Sequence, residues 1–491
     1  MDGGRYFDEL LPLLEANRQH TAEELQRIVL SLFKLDMGVQ AVPHVIRLAT
    51  MQEQAGQTEA ALQTLQQGIN HDPQSAQLFT HAGLFQQRQG RLADARRCLE
   101  RAISLDPTQT SLYGLLGVLL QDMNEPAQSE RVLKKALRRQ PDNPQTWLNL
   151  GTAQMRLHHV NDAEHSYVSA LRLDPNYIHA RANLGMCQLW QGKAHEGFAN
   201  YEARYNMPPE QLRVKPPTFP VPRWQGEDLS GKRVLVWPEQ GLGDQIMCAA
   251  WLSQLRQQCG VKQLVLACAR PLLPIFGRLQ GPHMLVDVYD AMPLCDVWLG
   301  AMSVPYALLR QVGRINPVSA WLTPQMQYLP QVLQHRSAKL RVGLCWKGSA
   351  AYPGDAQRSF TLDTYSALLT LPDVEFVSLL PDTRQAFLDW GGAAALDIGH
   401  EIDSASPAFE ETAAIMQVCD LIITSDTSIA HLAVALGRPT WLMLQFNGEW
   451  RWSIHPAKAS GSLQIMKQPL QGDWAGLMQS VQNRLKTLVK K

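Results

Sequence analysis

The chain has 491 residues, 45% of them hydrophobic and 18% charged, which at about 150 residues per domain predicts three domains with ordinary buried cores. Lys plus Arg and Asp plus Glu both number 45, so no overall basic charge favours nucleic acid or an anionic membrane surface. No basic segment leads into an apolar one at the start, and no apolar run approaches the roughly 20 residues that span a bilayer; a cytoplasmic protein is expected. The cysteines at 98, 187, 248, 259, 268, 295, 345 and 419 form no CxxC pair, which predicts reduced, mostly buried thiols. His158 and His159 would point about 100° apart on a helix, and no carboxylate is spaced to join them, so no metal site is expected.

Residues 1–41 are helical in pattern and are expected to cap a repeat array. Glycines at 83, 117, 151 and 185 stand 34 residues apart, and prolines at 73, 107, 141 and 175 keep the same period. Small residues recur in phase at Ala95, Ser129, Ala163 and Gly197, where two packed helices must approach closely. The unit resembles the tetratricopeptide repeat, with Trp147, Leu150 and Gly151 in its first helix and Asp174-Pro175 at its closing turn. Units are counted from near residues 42, 76, 110, 144 and 178, giving a repeat superhelix over 42–207. Such arrays bind protein partners along an inner wall. Asn149 and Asn183 share one position on that wall, similar to the asparagine ladder by which O-GlcNAc transferase holds acceptor peptides; His81 and Leu115 occupy it in two other units. An ordinary polar surface is the alternative for this two-rung ladder.

The proline-rich stretch 208–222 is a linker. Arg233–Trp237 reads as a strand, residues 238–243 as a loop and 244–257 as a helix, with further strands expected at 263–268, 286–289 and 296–299, in a domain spanning 223–325. The loop is not a P-loop, because no Gly-Lys-Ser/Thr follows, and Ile246 stands where a dinucleotide fingerprint needs its last glycine. Gly241 and Gly243 suit a tight strand-to-helix turn. Together with the segment around Tyr201 to Tyr205, this passage resembles bacterial proteins that join tetratricopeptide repeats to a heptosyltransferase-like domain. Asp244 matches the acidic residue that serves those enzymes as proposed general base. A carboxylate there can take the acceptor proton as the sugar–phosphate bond breaks, and can also position the acceptor.

A second α/β domain, 326–491, begins with a strand over 340–346, at whose carboxyl end stand Lys347, Gly348 and Ser349, where open parallel sheets bind ligands. The resemblance places Arg358-Ser359 in a short loop after it, making Lys347 and Arg358 candidate contacts for a leaving diphosphate. Strands are expected at 375–380 and 395–398 and helices from 382 and over 409–418; Glu411 stands near a turn that lies beside the base or ribose in relatives. The apolar strand 420–424 then runs into Ser425, Asp426, Thr427 and Ser428, where a helix starts, and a further strand follows at Thr440–Leu444. The open helix start and its hydroxyls suit a phosphate or diphosphate, and His431 lies one turn inside. Residues 426–433 resemble the nucleotide-sugar signature of heptosyltransferase-like glycosyltransferases: Asp426, Thr427, Ser428, two variable positions, His431, Leu432, Ala433. Trp450 and Trp452 read either as a stacking loop or as packing beneath a domain joint, and the last helix, from Trp474, is expected to cross back to the first α/β domain.

The resemblance spans about residues 178–460. It implies an α superhelix followed by two Rossmann-like domains in the GT-B arrangement, and a metal-independent glycosyltransferase that needs no cofactor beyond its nucleotide-sugar co-substrate. The sugar would pass from a nucleotide-diphosphate donor to an acceptor hydroxyl, including one on a protein held by the repeats. A nucleotide-sugar epimerase and a non-catalytic repeat scaffold are the alternatives.

Overall fold

The structure is a computed structural model that describes residues 20–212, 220–352, 354–458 and 461–489. The first nineteen residues of the expected cap and residues 213–219 of the expected linker lie outside the described residues. The chain divides into two compact units, Met1–Ala180 and Arg181–Lys491.

In the first unit the helix Ala22–Lys34 starts in a capping box between Thr21 and Glu24. Helix pairs follow: Gly38–Gln54 with Thr58–His71, Ala76–Arg88 with Leu92–Leu105, Thr110–Asp122 with Pro126–Arg139, and Pro144–Arg156 with Val160–Leu173. The periodic glycines have a packing cause. A Cβ on Gly117 would lie 2.6 Å from Leu133, and one on Gly151 would lie 2.6 Å from Tyr167. In each case the partner belongs to the second helix of the same pair, so the pair closes only where the first helix carries no side chain. Ser129 completes the contact by donating to the Gly117 carbonyl at 2.7 Å.

Packing also joins residues that spacing along the chain keeps apart. Glu130 lies beside His159 and Asp162, with one ligand-capable atom of each within 4.8 Å of the others. The expectation that no carboxylate reaches the His158-His159 pair is therefore corrected, since Glu130 comes from a neighbouring helix. Lys134 already sits 2.7 Å from Glu130, and the positive end of the helix Val160–Leu173 also opposes a cation there.

In the second unit, Leu189, Phe198 and Tyr201 share one buried cluster with Val234, Ile246 and Met302, so the end of the repeat pattern is built into the α/β core. Two all-parallel sheets come next. The first has strands β1 (Arg233–Trp237), β2 (Gln263–Cys268), β3 (Met284–Asp287) and β4 (Val297–Gly300) in the order β3-β2-β1-β4. The second has β5 (Leu340–Cys345), β6 (Val374–Ser378), β7 (Leu421–Ser425), β8 (Thr440–Leu444) and β9 (Leu463–Lys467) in the order β6-β5-β7-β8-β9. Strands β4, β7 and β8 are buried along their whole length, as strands covered on both faces must be.

Several local expectations are corrected. The helix expected over 244–257 is two, Leu242–Ala249 and Leu252–Gln258, and the strand expected at 395–398 is a single bridge from Ala395 to Phe376. Edge strand β9 carried no sequence signal. The last helix, Trp474–Val489, packs beside the second sheet rather than crossing back: Trp474 lies 4.7 Å from Phe360, and Gln482 donates to the Ala367 carbonyl at 2.6 Å. All eight cysteines are free, and no described helix is long and apolar enough to cross a membrane.

Candidate functional site

In open parallel sheets, ligands collect at the carboxyl ends of strands where the strand order reverses. Here those points lie between β1 and β4 in the first sheet and between β5 and β7 in the second. Strand β1 leads into the loop containing Glu239, Gln240 and Gly241 and then the helix Leu242–Ala249; β7 leads through Asp426 and Thr427 into the helix Ser428–Ala435.

The two helix starts touch. A Cβ on Gly243 would lie 2.6 Å from His431 Cδ2 and 3.4 Å from Ser428 Cα, so only glycine permits this approach. His431 stacks on Trp452 at 4.3 Å and 11°, Trp452 stacks on His455 at 4.7 Å, and His431 Nδ1 lies 3.3 Å from His455 Nε2. His431, expected to touch a ligand, is buried among Trp452, His455 and Gly243. Of the two readings of Trp450 and Trp452, burial selects packing.

The turn before the helix is held on several sides. Trp452 Nε1 donates to Asp426 Oδ1 at 3.0 Å, and Arg358 Nη1 donates to the Asp426 carbonyl at 2.8 Å. Thr427 Oγ1 lies 3.5 Å from Cys345 Sγ at the end of β5, and the wholly buried Ser425 lies beside the same thiol. Arg358 also pairs with Asp355 at 3.0 Å and lies over the Tyr352 ring at 4.5 Å. Lys347 and Ser349 are exposed in the loop after β5. Glu411, expected beside the nucleotide, is buried and holds His400 Nε2 and the Asp403 N–H, each at 2.6 Å.

Burial pushes Asp426 up to about 6 from 3.8, with help from nearby Glu449. Burial takes His431 down to about 3 from 6.5, and His455 well below its usual value. Both histidines are thus neutral in the folded chain yet protonated in the unfolded chain below about 6.5, so stability is lost as pH falls from there. Asp426 acts oppositely, because its burial penalty eases as pH falls from about 6 to about 4, but two histidines outweigh one carboxyl. Each unmatched proton is worth about 1.4 kcal/mol per pH unit. The urea midpoint is expected to fall between pH 6.5 and 4.5, and His431→Gln should flatten that slope; a midpoint that rises on acidification contradicts the assignment.

Asp244, in the first turn of its helix, is ion-paired to Arg451 Nε. Arg451 Nη1 donates to Glu449 at 2.6 Å, Nη2 donates to Gln240, and the guanidinium lies 4.8 Å from the Trp450 ring centre. In the sequence Arg451 stands out only as part of the aromatic and charged segment 449–452, with no sign of its partner Asp244. Behind the loop, Arg204 is buried, donating to Glu239 at 3.1 and 3.0 Å, Glu202 at 2.8 Å and Ser303 at 2.7 Å. Glu239 in turn accepts the Met302 N–H at 2.8 Å, so the loop between β1 and Gly241 is anchored at its root.

The structure therefore brings Gly243, Ser428 and His431 together, and Arg358 with Asp426. Gly241 caps the helix that carries Asp244. Asn149 and Asn183 fall in different compact units; Asn149 is half-buried and accepts from Gln145 Nε2 at 3.0 Å, and Asn183 is half-buried in the helix Ile178–Trp190.

Residues 46–110 and 86–150 match tetratricopeptide-repeat models, and residues 406–441 match the model of glycosyltransferase family 9 (heptosyltransferase). Protein FlbA of Caulobacter vibrioides is 27% identical over 249 residues, which are 45% of this chain and 41% of FlbA, so the match spans about two fifths of that relative. Among solved structures, YrrB, described as a TPR protein with an unusual peptide-binding site, is 17% identical at a TM-score of 0.29 and covers 34% of this chain and 88% of its own. MamA from Desulfovibrio magneticus RS-1 is 16% identical at a TM-score of 0.30, covering 34% of this chain and 92% of its own. The chain thus joins tetratricopeptide repeats to a parallel α/β region that carries a partial match to the heptosyltransferase family.

Proposed function

We propose that the α/β unit is a metal-independent glycosyltransferase of GT-B type, with Rossmann-like domains over 223–325 and 326–491, that moves a sugar from a nucleotide-diphosphate donor to an acceptor hydroxyl. The carrying observation is the meeting of two strand-to-helix turns from separate parallel sheets, one bearing Asp244 and the other Ser425 to Ser428. The start of the helix Ser428–Ala435 offers free N–H groups and a positive dipole end to the diphosphate. Thr427 and Ser428 add hydroxyls at the helix start, with Ser425 behind them at the end of β7. Arg358 steadies the turn, and Lys347 and Ser349 stand at the mouth of the same sheet edge. Asp244 takes the acceptor proton from the other side. The repeats hold a protein partner or acceptor, with Asn149 and Asn183 contributing amide contacts.

The test is release of nucleoside diphosphate from a panel of nucleotide sugars, with and without EDTA. Release from one donor that survives EDTA is expected; activity abolished by chelation contradicts metal independence, and donor conversion without acceptor would make the enzyme an epimerase. The contact of Gly243 with His431 favours a second reading, a repeat scaffold whose α/β unit has closed on itself and lost its chemistry. That reading requires the chain to bind no nucleotide.

A further inference from the structure

Arg451 lies where the two sheets' ligand edges meet. It belongs to the short helix Trp450–Ser453, reached from β8, the neighbour of β7, and the adjacent Trp452 already holds Asp426. Its guanidinium is close enough to Asp426 and His431 to act on the charge state of both. Its other side faces the first sheet through Asp244 and Gln240. The two cations expected at the diphosphate do not share this position: Lys347 is exposed, and Arg358 is committed to Asp355 and the Asp426 carbonyl.

Two carboxylates, Asp244 and Glu449, share this one guanidinium. Glu449 holds Nη1 from within the same segment, whereas Asp244 and Gln240 hold Nε and Nη2 from the other sheet. A diphosphate offers the Nε and Nη2 edge a bidentate partner with more charge than one carboxylate. While the ion pair stands, Asp244 Oδ1 is occupied by Arg451 Nε instead of an acceptor hydroxyl.

Resting on the glycosyltransferase reading, we propose that Arg451 exchanges partners: it is the counter-ion of Asp244 in the empty chain and binds the donor diphosphate once that arrives, releasing Asp244 to act. In the transfer step the acceptor oxygen bonds to the anomeric carbon as the bond from that carbon to the phosphate oxygen breaks. The acceptor proton goes to Asp244, and the leaving diphosphate keeps the electron pair and is met by Arg451. Donor therefore binds before the acceptor can be deprotonated.

Equilibrium dialysis of the full chain against uridine, guanosine and adenosine diphosphates tests the exchange. Asp244→Asn should bind the cognate diphosphate about five- to tenfold more tightly than wild type, because it no longer competes for Arg451, and Arg451→Met about tenfold or more weakly. In the Arg451→Met background, Asp244→Asn should bring no gain. Unchanged or weaker binding by Asp244→Asn overturns the proposal, and so does a gain that persists without Arg451, since that would be simple removal of a negative charge. Thermal unfolding identifies a misfolded variant, and Arg451→Lys, which keeps the charge but loses the fork, then stands in with intermediate affinity expected and wild-type affinity contradictory. If wild type binds no diphosphate, the glycosyltransferase reading fails; if it binds one and Asp244→Asn brings no gain, only the exchange fails.

Discussion

Arg204→Met is expected to lower the unfolding free energy of the α/β unit by about 3–5 kcal/mol, the cost of leaving buried charge without its partner. The Glu239 side chain is wholly buried and the Glu202 side chain 16% exposed, and both are paired to Arg204. The guanidinium also lies over the rings of Tyr201 and Tyr205, at 4.6 and 4.2 Å, so its removal opens a gap as well as an ion pair. Arg204→Lys keeps one charge but cannot reach Glu239, Glu202 and Ser303 together, and should fall between the two. Denaturant unfolding followed by tryptophan fluorescence reads the loss. A change below about 1 kcal/mol would mean that the network contributes little beyond its geometry.

Asp244→Asn is expected to reduce turnover at saturating donor by about 10²–10⁴-fold, the usual contribution of a positioned general base. The amide keeps the shape but loses the charge that pairs with Arg451, and it cannot accept the acceptor proton. The loss should therefore appear in kcat and not in donor affinity, which the partner exchange predicts to improve. Turnover equal to wild type would remove Asp244 from the chemistry.

The parts of the molecule legible in the sequence are those fixed by neighbours along the chain. Gly117 and Gly151 announced helix pairs because Leu133 and Tyr167 leave no room for a side chain. Strands β1, β2 and β8 were readable to the residue because burial on both faces demands an unbroken apolar run, and the cluster from Ser425 to Ser428 marked where β7 gives way to a helix. Strand β9 was not readable, since it lies at the sheet edge with only Met466 of its five residues buried, and so lacks the apolar run that a central strand requires. The site's polar contacts were also hidden. Arg451 and Asp244 are 207 positions apart, Arg204 and Glu239 35, and His431 and His455 24. No periodicity links such pairs, so even Asp244 and His431, singled out on other grounds, gave no sign of their partners. His431 shows the same limit from the other side: its place one helical turn from Ser428 was right, but the tryptophan and histidine that enclose it come from the segment after β8.

In the proposed reading, the turn from Ser425 to Ser428 binds a nucleotide diphosphate. Calorimetric titration of the whole chain with uridine, guanosine and adenosine diphosphates, in EDTA, tests it most directly. Saturable one-to-one binding of one of them is expected, weakened by about 1–3 kcal/mol in Thr427→Val combined with Ser428→Ala, where two hydroxyl partners are lost. Heat of dilution alone for all of them, or full affinity in the double variant, would contradict it.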